Sequence, residues 1–281
     1  MISRSNTEVR RCRPLLGTFV EISASGLDDS RLQEAVDGAF AVVERIHRLM
    51  SVHDPGSELS LLNLQAASRA RPVSRDTFTV LRRAETLAAA SHGAFDPTVA
   101  PTLARWGLLP AWLDRDNPGG WRDVWLLPGY KVRFRRPLAL DLGGIAKGFA
   151  VDLAIQTLRL AGVTAAVVNA GGDLRVFGPQ PSTIHLRHPT RPQAFVGTVP
   201  LDHAALATSS PCFTERQWRG RRVSHLVNPL RGQPITGSVS VTVRAPECWL
   251  ADALAKVVLN APRRARHLLA QYGAEAFIVA I

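Results

Sequence analysis

Apolar residues recur at two different spacings along the chain. Between residues 28 and 50 they fall at Leu32, Ala35, Val36, Ala39, Val42, Val43, Ile46 and Leu49, the spacing of one helical face. Asp29 or Ser30 suits its start, because a short polar side chain accepts from the unpaired amides of a first turn. Pro55-Gly56 breaks the pattern, Ser57 caps a short helix, and a further helix covers Arg75–Ala90 until His92-Gly93. Strict alternation over residues 14–24 predicts one strand instead. Residues 101–137, rich in Pro, Gly and Trp, read as helical turns and loops leading to a strand at 130–134. Strands at 138–142 and 165–169 flank a helix at 146–161, and another strand follows at 174–177. That strand–helix–strand order predicts an α/β layer. The last third alternates strands at 184–187, 195–200, 203–208 and 239–243 with a hairpin ending at His225. Helices at 248–259 and 261–272 precede a final strand at 276–281. Repeats, low-complexity tracts and long linkers are missing from the sequence.

Composition narrows the class. Hydrophobic residues make up 46% and charged residues 20% of the 281 positions, enough to bury a core. No apolar run approaches the roughly 20 residues a membrane span needs. The first residues are basic without an apolar centre, and Cys12 lies among arginines without the lead-in of a lipid anchor. The expected location is therefore cytoplasmic as the sequence stands, or periplasmic if an export signal has been removed. Cys12, Cys212 and Cys248 are too widely spaced for a zinc site; a Cys212–Cys248 bridge is open but not required. The net charge of +11 raises the question of nucleic acid, yet the basic clusters at 10–13, 219–222 and 263–266 lack accompanying aromatics or a helix-turn-helix. An arginine-rich solvated surface is the favoured reading, and no nucleic-acid partner is expected. Nearly every basic residue is arginine, with lysine only at Lys131, Lys147 and Lys256. A lysine inside a motif of such a chain points to a need for its compact ammonium.

The densest chemistry lies in DLGGIAKGFA at 141–150, followed by a helix and VNAGGD at 168–173. Glycines between strand and helix let backbone approach a ligand, and a helix N-terminus offers amides to a phosphate. Asp141 at the strand's carboxyl end suits sugar hydroxyls or base edges, and Lys147 in the first turn suits a diphosphate. Two glycine pairs alone are as well explained by tight turns, and the spacing is not the dinucleotide-binding G-x-G-x-x-G.

These segments resemble the FAD:protein FMN transferases of the ApbE family. The resemblance continues in order through LGT (16–18), SVHDPGSELSLLN (51–63), GAFDPTVAP (93–101), ATSS (207–210), SHLVNPLRGQP (224–234) and ADALAK (251–256). It implies an α/β (α+β mixed) fold: mixed sheets flanked by helices, with the FAD cleft between two lobes. The whole of 1–281 would form one such domain or two interleaved lobes, of open oligomeric state. It implies FAD as cofactor, Mg²⁺ on its pyrophosphate, and transfer of FMN to a Thr or Ser hydroxyl of an acceptor flavoprotein with release of AMP. By position, Gly17, Thr18, His53, Ala94, Phe95, Asp96, Asp141, Lys147, Leu226 and Val227 would line the FAD site. The metal would fall to Gly144, Asp252 and Lys256, and catalysis to His225 and Asp252.

Blander readings stand beside these. Asp96 could cap a helix, His225 could be a bonded core histidine, and Asp252 could cap the helix that follows. Several positions also depart from the family's pattern: His53 replaces the usual Tyr, Leu16 the usual Met, Asn228 the usual Asp and Lys256 a Thr or Ser. A lysine ammonium repels a metal ion and cannot supply the oxygen that Mg²⁺ demands. The metal site is therefore expected to be altered or taken over by Lys256. The alternative function is an FAD-binding carrier without transferase activity.

Overall fold

The computed structural model describes residues 7–116, 119–212 and 214–281. Its largest element is a seven-stranded sheet: β1 (Glu8–Leu15), β2 (Thr18–Ser25), β3 (Ala165–Ala170), β4 (Asp173–Phe177), β5 (Ala205–Ser209), β6 (Val239–Ala245) and β7 (Glu275–Ala280). These strands lie in sequence order, each antiparallel to its neighbours. The helices are α1 (Asp29–Met50), α2 (Glu58–Gln65), α3 (Arg75–Ala90), α4 (Ala100–Arg105), α5 (Ala146–Leu160), α6 (Cys248–Asn260) and α7 (Pro262–Gln271). The mixed helix-and-sheet class expected from the sequence is the one observed.

Alternation along β3 separates the two faces of the sheet. Ala166, Val168 and Ala170 enter the main core with α5 and α6, while Val167 joins Leu174, Val176 and Leu206 on the opposite face. That second face is covered by Val199 and Leu201 of a hairpin, Ser182–Arg187 paired with Phe195–Leu201. Helix α1 presents Leu32, Val36, Val43 and Ile46, all fully buried, to the same core as α5. Each such side chain contributes about 1.5–3 kcal/mol by leaving water, so this face holds the helix against the sheet layer.

Three sequence expectations are corrected. Residues 14–24 are not one strand but parts of the β1–β2 hairpin, which turns at Leu16 and Gly17. Both have positive φ, 56° and 72°. A two-residue hairpin turn of that hand matches strand twist, but a leucine there carries no such signal. Residues 138–142 form no strand. Leu140 is held at both its amide and carbonyl by the buried Asn63 side chain (2.8 and 3.0 Å), and the Asp141 amide donates to the Pro97 carbonyl. A side chain thus replaces the ladder, and the run is apolar because it is buried on every side. With that strand gone, the strand–helix–strand unit expected at 138–169 is not formed, and α5 instead packs on the antiparallel sheet. A strand at Val124–Leu127, paired with Lys131–Phe134, was hidden in the Pro- and Trp-rich stretch. All three cysteines are free thiols, and no described helix is long and apolar enough to cross a membrane.

Candidate flavin site

The segments between these elements converge on one cavity of about 680 Å³, within the range of small-molecule and cofactor sites. The β1–β2 turn contributes Leu16 and Gly17, and the end of α1 contributes Met50 through His53. Ala94, Phe95 and Asp96 come from the loop after α3, Asp141 to Gly144 with Ala146 and Lys147 from the entry to α5, and His225 to Val227 from the β5–β6 connection. Lys256 and Asn260 come from α6. Of the residues assigned to the site from the sequence, Thr18 and Asp252 do not line this wall. Thr18 packs under the Gly171 turn, where a glycine Cβ would come within 2.3 Å of its hydroxyl. Asp252 lies fully buried beneath the lysines.

Local structure disposes of the three bland readings. Asp96 caps no helix: it accepts from the Thr98 amide (2.8 Å) and hydroxyl (2.6 Å), while α4 begins later without a side-chain cap. Asp252 does not cap its own helix either; it accepts instead from the Gly148 amide in the first turn of α5, at 3.4 Å. The first amides of α6 are taken by Asp152, which accepts from Cys248 and Trp249, both at 2.9 Å, and from Arg175 at 2.6 Å. His225 is exposed at the cavity mouth with part of its ring desolvated there, rather than a core residue. At the start of α5 the Gly143 amide goes to Asp141, the Ala146 amide to the Leu142 carbonyl and the Gly148 amide to Asp252. That leaves the Gly144 and Lys147 amides, among the described residues, for a phosphate.

Beneath the cavity wall lies a four-charge cluster. Lys147 pairs with Asp173 and lies 3.7 Å from Asp252, and Lys256 pairs with Asp252 one helical turn along α6. Burial pulls the Lys147 ammonium down, but the Asp173 and Asp252 carboxylates outweigh it and hold its pKa well above the ordinary lysine range. Burial pushes Asp252 up, yet Lys147 and Lys256 prevail and hold it low. Asp173, which burial and Asp252 both raise, is the more readily protonated of the two carboxylates. On the cavity wall, burial pushes Asp141 above the usual carboxylate range against the 3.0 Å bond from the Gly143 amide and the charge of His225. His225 is pulled below the usual imidazole range by burial, with Arg216 and His53 acting the same way and Asp141 opposing.

Some contributors carry little sequence signal. Asp173 stood in a quoted segment without a role of its own. Asn260 donates to the Ala94 carbonyl at 2.9 Å and the Val227 carbonyl at 3.3 Å, and so ties two lining segments to α6. Thr208, Ser209 and Ser210 also reach the cavity from β5, although ATSS was recognised only as a matching segment. Asn228 does not line it. Its side-chain oxygen accepts from the Arg231 amide at 3.2 Å within the turn, a bond an Asp would make equally.

The sequence model of the ApbE family matches residues 16–278. The chain belongs to the ApbE family. A Vibrio cholerae protein named FAD:protein FMN transferase is 32% identical over 270 residues, covering 88% of this ApbE-family chain and 80% of its own length. A Rhodobacter capsulatus protein of the same name is 32% identical over 257 residues, covering 86% of this chain. This chain spans only 49% of that longer relative. The crystal structure of the Thermotoga maritima ApbE protein superposes with a TM-score of 0.86 at 26% identity, covering 97% of this chain and 94% of its own.

The Mg²⁺ implied for this family can be tested against the residues present. Gly144 offers a carbonyl, but one Asp252 oxygen is paired with the Lys256 ammonium and the other faces Lys147 and the Gly148 amide. A protonated lysine has no lone pair to give a metal. Among the described residues no three His, Cys, Asp or Glu side chains converge as metal ligands. This donor set does not fit a magnesium ion.

Proposed function

We propose that this chain binds FAD in the 680 Å³ cavity and transfers FMN to a Thr or Ser hydroxyl of an acceptor flavoprotein. The observation that carries the reading is the convergence of His225, Phe95 and the pair Asp141 and Lys147, from three separate stretches of chain, on one cavity wall. The Gly144 and Lys147 amides and the Lys147 ammonium receive the diphosphate. The half-buried Asp141 takes a polar edge of the ligand, and His53 lies at the exposed rim. In the transfer the acceptor oxygen bonds to the phosphorus of the FMN half. The bond from that phosphorus to the bridging oxygen breaks, and AMP leaves carrying that oxygen. His225, its pKa lowered by partial desolvation and so neutral at pH 7, accepts the proton of the attacking hydroxyl. Asp252 touches neither partner and acts as a positioning group beneath the lysines. Such chemistry asks a protein mainly for placement and charge neutralisation.

The test is to incubate the purified chain with FAD and an apo-flavoprotein acceptor, then to follow AMP by chromatography and in-gel flavin fluorescence. Equimolar AMP and fluorescent acceptor are expected. Bound FAD with neither product would leave the carrier reading in its place.

A further inference from the structure

We propose that Lys256 serves this site as a built-in cation, so that FAD is held without a divalent metal. The inference rests on the FAD-binding reading above and on the geometry around Asp252. That carboxylate is fully buried, and both its oxygens are engaged. Lys256 pairs with Oδ1, while the Gly148 amide at 3.4 Å and Lys147 Nζ at 3.7 Å face Oδ2.

Lys256 is not hidden inside this cluster. Its side chain keeps 18% of its surface, and it lines the cavity with Lys147. Its stem runs along Gly144: a Cβ built there would lie 3.5 Å from Lys256 Cε and 3.4 Å from the Phe95 ring. The ammonium therefore stands between the glycine turn that opens α5 and the carboxylate on α6, next to the amides offered to the diphosphate. A metal bound to Asp252 would have to stand beside this ammonium and would be repelled by it.

The charges point the same way. Lys147 and Lys256 match Asp173 and Asp252 one for one, and both carboxylates are buried, at 3% and 0% exposure. The lysines, at 29% and 18% side-chain exposure, form the part of the cluster that reaches the cavity. An anionic ligand thus meets two ammoniums whose counter-charges lie behind them. In a chain with only one other lysine, Lys131, lysine stands at both places, where a compact point charge fits.

The experiment is a fluorescence titration of the full chain with FAD, in EDTA and in millimolar Mg²⁺, on the unaltered protein, Lys256→Thr and Lys256→Met. Thermal unfolding reports whether each variant folds. The unaltered protein is expected to bind FAD with affinity that changes less than about twofold between the two conditions. Lys256→Thr, which brings in a hydroxyl, should bind about tenfold more weakly in EDTA and recover with Mg²⁺. Lys256→Met should stay weak in both. A tenfold gain on adding Mg²⁺ to the unaltered protein overturns the inference while leaving FAD binding intact. Lys256→Thr binding that is as tight in EDTA as the unaltered protein's overturns it also. Absence of FAD binding by the unaltered protein in either condition sinks this inference and the proposed function together. The unaltered protein decides the question even if both variants fail to fold.

Discussion

Asp141 accepts from the Gly143 amide at 3.0 Å while burial raises its pKa. Removing a carboxylate that pairs with a buried ligand edge leaves that edge unsatisfied, at about 1–3 kcal/mol. Asp141→Ala should therefore weaken FAD binding up to roughly a hundredfold, read by fluorescence titration; unchanged affinity would remove Asp141 from the site. At His225 the sign of the pH effect follows from burial. Its pKa lies below the ordinary 6.5, so the neutral base persists at pH 7 and is lost only as pH falls through that depressed value. The transfer rate should show an acidic limb below about 6.5, absent from the residual rate of His225→Asn. A limb kept in that variant would assign the proton to another group. Asn228, which departs from the family's pattern, behaves differently. Its bond to the Arg231 amide lies in a turn outside the cavity wall, so Asn228→Asp should move FAD affinity by less than about 0.5 kcal/mol.

At the scale of elements, the contact between α5 and α6 governs the site, because Lys147 rides on one helix and Asp252 with Lys256 on the other. The contact is close because Gly148 has no side chain: a Cβ there would lie 2.4 Å from the Cys248 carbonyl oxygen and 2.7 Å from Trp249 Cα. Alanine is the better helix former by about 1 kcal/mol, but here the backbones would have to separate. Gly148→Ala should destabilise the fold by about 1–3 kcal/mol net, seen as a melting point several degrees lower. An unchanged or higher melting point would show that the helices part without cost. This glycine was visible in the 141–150 motif, where glycines were read as room for a ligand. Gly143 and Gly144 do line the cavity, whereas Gly148 is required by helix packing, and spacing cannot tell the two uses apart. The apolar run at 138–142 misled for a related reason. Periodicity reports burial, and a segment buried on all sides without a ladder resembles a central strand.

For the whole molecule, the cavity wall is assembled from the β1–β2 turn, four loops and α6, so binding should couple to global stability. FAD at a hundred times its dissociation constant should add about 2.7 kcal/mol to the unfolding free energy, and the melting point should rise accordingly. With the lysines and the α5 amides assigned to the diphosphate, FMN at the same concentration should stabilise less and bind more weakly. Equal affinity for FMN and FAD would contradict that assignment.

Local pattern determined the helices over 28–50, 75–90, 146–161 and 248–259, because each buries a face whose 3.6-residue period is written in consecutive residues. It also determined that Asp252 and Lys256 share a helical face, since four residues along a helix make near neighbours whatever surrounds them. The ordered run of matching segments named the wall of the cavity. Tertiary structure alone decided that the large sheet is antiparallel throughout and that Asp152 caps α6. It alone brought Lys147 between Asp173 and Asp252, and turned the lysine pair toward the cavity with its carboxylates behind. Those are contacts between residues far apart in the chain. They leave no period in the sequence, because the groups they satisfy, such as buried amides, orphan helix ends and paired charges, find their partners only when separate elements meet.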